Sequence, residues 1–336
     1  MRPERESGGR AGGAPGDATV RADAPATIGD PPGRPATLGA ALDGAIARLR
    51  KSGSDTARLD AELLVAHAVG TDRTGVLAHP EVGLPPHAAA LLEEYVGRRE
   101  RGEPVAYIRG IKEFHGLAFT VDARALIPRP DTELLVDIGA SRVVAALTAA
   151  PRSPGSDRLR VVDVGTGSGA VAVALAATLR RRRILDEVDL LATDVSADAL
   201  ELAVENAAAH GLADAIRFAR ADLLPAGEAP FDLVLANLPY VPSGDLPRLP
   251  VAASFEPSLA LDGGADGLEA VRRLLGLLPE ALRFPGTALL EIGAGEDDGL
   301  RAAADRVLPG WELTFHPDLA GIPRVAELAA SEGARR

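Results

Sequence analysis

A chain of 336 residues, 46% hydrophobic and 25% charged, has an ordinary globular composition and material for one large domain or two smaller ones. It has no cysteine, which excludes disulfides, thiolate metal sites and a cysteine nucleophile, and no apolar run nears the roughly 20 residues that span a bilayer. The net charge of −12, from 36 basic and 48 acidic residues, argues against stable nucleic-acid binding, which draws on neutralised phosphates.

The chain opens Met1-Arg2-Pro3-Glu4-Arg5 and runs into Gly, Ala and Pro rather than an apolar signal core, so a cytoplasmic location and no membrane partner are expected. Residues 1–36 carry no hydrophobic period and read as a disordered tail. Thr37 is the expected N-cap of a helix from Leu38 to Leu49. A second helix runs from Asp55 or Thr56 to Val69, with Leu59, Leu63 and Leu64 on one face, and Gly70 stops it. A third starts at Pro85-Pro86 and carries Leu91, Leu92, Tyr95 and Val96 towards Arg101. Residues 37–103 thus read as a small helical module, placed to dock a substrate in front of a catalytic domain. Short β-prone runs with turn glycines from Val105 to Val121 read as a hairpin linker, bounded at 104–128.

From Arg129 onward strands and helices alternate, the pattern of a doubly wound, mostly parallel α/β sheet occupying 129–336. Strands are expected at 160–164, 188–193, 215–219, 231–236, 286–292, 311–316 and 324–329. Helices are expected at 132–149, 169–182, 197–210, 265–283 and 296–307.

Ligands of such sheets sit beyond the carboxyl ends of the strands. There the first strand delivers Gly165-Thr166-Gly167-Ser168-Gly169, glycines that let a backbone approach a ligand closely. With Ala170 the loop also passes as a dinucleotide fingerprint, so alone it does not separate a nicotinamide enzyme from an adenosyl-cofactor enzyme. Asp163 precedes the loop and can hold its backbone or a cofactor ammonium through water. Asp194 ends the second strand, where a carboxylate can accept both hydroxyls of a ribose. After the third strand, Asp222 is placed to accept from an adenine amino group while Leu223 packs the base. A single aspartate here would be a helix cap; ligand-type residues at successive strand ends favour one shared ligand.

The fourth strand ends in Asn237-Leu238-Pro239-Tyr240. An amide nitrogen is a poor nucleophile because its lone pair is delocalised. The Asn237 side-chain oxygen and the Leu238 carbonyl can each accept one of its N–H bonds and orient it for attack. Pro239 holds Leu238 extended, and Tyr240 offers a face for a planar group. Loop and clamp together read as methyl transfer from S-adenosylmethionine to an NH2 conjugated with a π system, with no metal required.

At this point the chain resembles the HemK/PrmC family of release factor glutamine methyltransferases. The resemblance covers about residues 37–332 and rests on Glu113-Phe114-His115-Gly116-Leu117, Leu126-Ile127-Pro128-Arg129-Pro130-Asp131-Thr132-Glu133, the glycine loop, and Asn237 to Pro242. It extends through Phe255-Glu256-Pro257 and Leu261-Asp262-Gly263-Gly264-Ala265-Asp266-Gly267. Membership implies a helical N-terminal domain, a hairpin linker and a class I (Rossmann-like) methyltransferase domain. It further implies N5-methylation of the glutamine in the Gly-Gly-Gln loop of peptide-chain release factors. By position, Gly165 to Gly169, Asp194 and Asn237 are similar to the family's adenosylmethionine contacts, and Asn237 to Tyr240 to its glutamine clamp. Leu238 replaces the family's usual proline, and Leu223 stands where an aromatic can occur. Asn-Leu-Pro-Tyr also serves enzymes that methylate adenine N6, so the alternatives are that substrate or a ribosomal-protein glutamine.

Overall fold

The computed structural model describes residues 37–149 and 158–330; the expected tail at 1–36 lies outside them. Four helices come first: α1 (Leu38–Lys51), α2 (Ala57–Val69), α3 (Arg73–Ala78) and α4 (Pro86–Glu100). Thr37 caps α1 by accepting the Ala40 amide at 3.3 Å, and Gly70 ends α2 in the left-handed conformation. Leu42, Ile46, Leu49, Leu64, Val65 and Val96 form the core of this helical layer.

The buried face of α2 matches the expected leucine face only in part: Leu64 is fully buried and Leu63 half-buried. Leu59 is 39% exposed, whereas Asp60 and Glu62 are 5% and 2% exposed. The two acids are tolerated because they are paired: Arg99 and the Ser54 and Thr56 hydroxyls serve Asp60, and Arg58 and Arg73 serve Glu62. The helix α3 was not expected from the sequence; Asp72 caps it by accepting the Gly75 amide at 2.7 Å.

The segment read as the first arm of a hairpin is instead a short helix, α5 (Val105–Arg109). Pro104 precedes it, Gly110 closes it at φ +68°, and Ile108 joins the helical core, so burial outweighs β-propensity. The hairpin follows as β1 (Ile111–Phe114) and β2 (Leu117–Thr120). A 3-10 turn at Pro130–Thr132 then leads into α6 (Glu133–Ala149).

The remaining elements are β3 (Leu159–Val164), α7 (Ala170–Arg181), β4 (Val188–Asp194), α8 (Ala197–Ala209), β5 (Ile216–Arg220), β6 (Phe231–Ala236), α9 (Glu269–Ala281), β7 (Leu282–Glu291), α10 (Asp297–Val307), β8 (Trp311–Pro317) and β9 (Pro323–Ala330). The seven strands pair in the order β5-β4-β3-β6-β7-β9-β8, with β9 antiparallel to both neighbours. Fully buried apolar residues such as Val162, Leu191 and Val234 suit strands covered on both faces. The helix expected from 265 begins only at Glu269, because Gly264 and Gly267 adopt φ of +86° and +82° and fold the preceding residues into a loop. No helix among the described residues is long and apolar enough to cross a membrane.

Strand order reverses between β3 and β6, which makes their carboxyl ends the topological switch point where ligands bind in open α/β sheets. Val164 pairs with Thr193 on one side and Ala236 on the other. That register brings the glycine loop, Asp194 and Asn237 out of the sheet at one level.

Candidate active site

A cavity of about 650 Å³ opens at this switch point. Its wall includes Gly165, Thr166, Gly167, Ser168, Asp194, Asp222, Leu223, Asn237, Leu238 and Pro239. Its size falls in the range of small-molecule sites.

The glycine loop is held from beneath. Asp163 is buried, and its Oδ2 accepts the Thr166 hydroxyl at 2.6 Å and the Ala172 amide at 3.1 Å. Burial pushes its carboxyl up to about 6; the two hydrogen bonds pull the other way and Asp194 pushes further up. Asp163 thus anchors the loop and also lines the cavity. Gly165, Gly167 and Gly169 all have positive φ, and a Cβ on Gly169 would lie 3.0 Å from that of Ala203 on α8.

Asp194 is half-buried. Its Oδ2 accepts the Gly167 amide and its Oδ1 the Ser196 amide, both at 2.9 Å, and each oxygen keeps a further lone pair for a ligand. Asp222 is exposed on the wall and paired with Arg273 of α9. Leu223 takes φ +67°, and its carbonyl accepts the Thr193 hydroxyl at 2.8 Å, a bond that aims the residue at the cavity.

The clamp segment divides. Asn237 donates from Nδ2 to the Thr132 hydroxyl at 3.1 Å, leaving its Oδ1 without a donor among the described residues. The Leu238 carbonyl also receives none there, while the Leu238 side chain is buried and turned back towards Gly165. The Tyr240 ring is not brought to the cavity wall. It is half-buried against Gly293, where a Cβ would sit 3.1 Å from Tyr240 Cδ2, and burial pushes its phenol above the usual range.

After the clamp the chain is zipped onto the Asp-Gly-Gly segment: Val241 N donates to the Leu261 carbonyl at 3.0 Å, and Gly263 N to the Val241 carbonyl at 2.8 Å. A Cβ on Gly267 would lie 2.4 Å from the Tyr240 carbonyl, so these glycines are there for close backbone approach. Glu256, 7% exposed, accepts the Ile127 amide at 3.1 Å and pairs with Arg129, tying one motif segment to another.

Two site residues carried no assigned role in the sequence reading. Asn206 accepts the Thr120 amide at 2.8 Å and donates to the carbonyls of Thr120 and Ser168 at 3.0 and 2.9 Å, joining the hairpin to the glycine loop. Glu291 is 3% exposed at the end of β7, and burial pushes its carboxyl up to about 7. An acid closing the apolar run Ala288-Leu289-Leu290 repeats the pattern of Asp163 and Asp194, and that was the available signal.

The similarities of the chain run the same way. Residues 40–110 match the family model described as PrmC N-terminal domain, and residues 161–252 match one described as methyltransferase domain. A release factor glutamine methyltransferase of Bradyrhizobium diazoefficiens is 37% identical over 83% of this chain and 90% of its own. Those of Moorella thermoacetica and Deinococcus radiodurans are 38% and 34% identical, over 86% and 87% of this chain and 96% and 98% of theirs. The chain belongs to the release factor glutamine methyltransferase family. The first model covers most of the helical layer, and the second covers the sheet from the glycine loop through β6 and the clamp.

Proposed function

We propose that this protein transfers a methyl group from S-adenosylmethionine to the side-chain amide nitrogen of a glutamine in peptide-chain release factors, the one in their Gly-Gly-Gln loop. The observation that carries the reading is the pair of acceptors without donors, Asn237 Oδ1 and the Leu238 carbonyl, at the wall of the cavity that also holds the glycine loop and Asp194. A primary amide presents two N–H bonds in one plane, and two fixed acceptors suit that shape.

The residues present fit an adenosyl cofactor: the loop from Gly165 to Gly169 for close backbone approach, Asp194 for the ribose, and Asp222 and Leu223 for the base. When bound, the cofactor supplies a sulfonium methyl open to nucleophilic displacement. The chain's own part is positional. Asn237 and Leu238 fix the amide nitrogen and draw on its N–H bonds as it becomes nucleophilic, an interaction that strengthens towards the transition state. Pro239 holds the Leu238 carbonyl in place, so leucine instead of proline at 238 preserves the contact. The helical layer docks the release factor, and Tyr240, off the cavity wall, closes the clamp segment behind Pro239.

The test is methyl transfer from labelled adenosylmethionine to purified release factor, with a Gln-to-Ala change in its Gly-Gly-Gln loop as control. Label lost with the control supports the reading. Label appearing instead on ribosomal protein or RNA replaces the substrate assignment.

A further inference from the structure

The Asn237 carboxamide must face one way. Its oxygen only accepts and its nitrogen only donates, and a half-turn exchanges them. Toward a substrate amide the oxygen is productive, whereas the nitrogen would set donor against donor. Thr132 Oγ1, which takes the Nδ2 hydrogen at 3.1 Å, does not decide the matter alone, because a hydroxyl also donates and would serve the turned amide equally well.

The deciding group stands behind Thr132. The pairing of Ala236 with Leu290 sets Glu291 abreast of Asn237, and Glu291 Oε2 is buried without a hydrogen-bond partner among the described residues. The cation that faces this carboxyl, Arg324 of β9, is already engaged by Asp131 at 3.2 Å and Asp318 at 3.0 Å. A buried carboxyl with one oxygen left without a partner is a cost to the fold that calls for a role. We propose that Glu291 is a positioning residue for methyl transfer: its carboxylate takes the Thr132 hydroxyl hydrogen, leaves that oxygen able only to accept, and so locks Asn237 with Nδ2 inward and Oδ1 towards the substrate. This rests on the reading of Asn237 as the amide clamp.

The lock responds to protons. Around Glu291 stand Asp131 before α6, Arg324 on β9 and Tyr240 beyond β6, with the Thr132 and Asn237 side chains against it. Burial is the main influence and raises its pKa to about 7; Thr132, Asn237 and Arg324 favour the ionised form and Asp131 opposes it. A protonated Glu291 donates to Thr132, whose own hydrogen then turns to Asn237 Oδ1, and the amide is held reversed. The ionised form is the productive one, so the rate of transfer falls as pH falls through this titration.

The experiment is single-turnover methyl transfer to full-length release factor between about pH 5.5 and about pH 9, with adenosylhomocysteine affinity followed in parallel. Wild type is expected to fall through a limb near neutrality to a low-pH plateau about tenfold below its high-pH rate. Glu291→Gln is expected to be about tenfold slower at high pH and to lack the limb, with KM for release factor and cofactor affinity within about twofold of wild type. Thr132→Ser keeps the limb, and Thr132→Val is slow without it. A wild-type rate and limb in Glu291→Gln, or a loss confined to KM, overturns the proposal. Should Glu291→Gln not fold, persistence of the limb in Thr132→Val overturns it equally. A wild type that labels no release factor at any pH overturns the substrate reading and this proposal with it; variants that keep the limb of an active wild type overturn the proposal alone.

Discussion

The Leu238 side chain lies 3.1 Å from where a Cβ on Gly165 would stand, so the first glycine of the loop and the second residue of the clamp occupy one packed contact. Gly165 also has φ +71°. Gly165→Ala therefore meets both a left-handed backbone cost of about 1–2 kcal/mol and a displaced Leu238. The expected outcome is about tenfold weaker binding of adenosylhomocysteine by calorimetry. An affinity equal to wild type would separate loop from clamp.

Asn237→Ala removes the acceptor at the cavity wall and the partner of Thr132. Turnover is expected to fall by about 10²–10³-fold, the usual cost of losing one transition-state hydrogen bond. Adenosylhomocysteine binding should persist within about tenfold, since the loop and Asp194 remain. Wild-type-like turnover would remove Asn237 from the mechanism.

Asp194 serves its own loop as well as any ligand, through the Gly167 and Ser196 amides. Asp194→Ala is expected to weaken cofactor binding by about 1.5–3 kcal/mol, the worth of a hydrogen bond to a charged group. Titration calorimetry checks this, and unchanged affinity would reassign the ribose contact.

Asn206→Ala strips the partners from the Thr120 amide and from two carbonyls, all in buried or half-buried surroundings. A loss of about 2–4 kcal/mol in stability is expected, read from denaturant midpoints at constant slope. Because one bond holds Ser168, cofactor affinity should fall as well; a purely thermal effect would limit Asn206 to the hairpin.

Asp163 provides a pH test. Its folded pKa is raised from 3.8 to about 6, so the stability linked to it is fully present below about pH 4 and is lost as pH rises through 6. Asp163→Asn, which keeps an acceptor for Thr166 and Ala172, removes that dependence. The variant should gain on wild type between about pH 4 and pH 8, by at most about 3 kcal/mol. Thermal melts that stay parallel across this window would contradict it.

Local signals were read well where one residue or one period decides the outcome. The Thr37 cap, the Gly70 stop and the strand Phe231–Ala236 follow from chemistry confined to a few neighbouring residues. Val105–Arg109 and the burial of Asp60 and Glu62 on α2 did not, because packing against other helices and ion pairs with Arg99, Arg58 and Arg73 override propensity and hydropathy.

The sequence by itself determined the order of elements, the glycine loop and the clamp, since each is written in consecutive residues. The tertiary structure decided which way Tyr240 and Leu238 point, that Asn206 joins the hairpin to Ser168, and that Glu291 stands behind Asn237. Those partners are 38 and 54 positions apart or meet only across neighbouring strands, and strand register, not sequence proximity, brings them within reach.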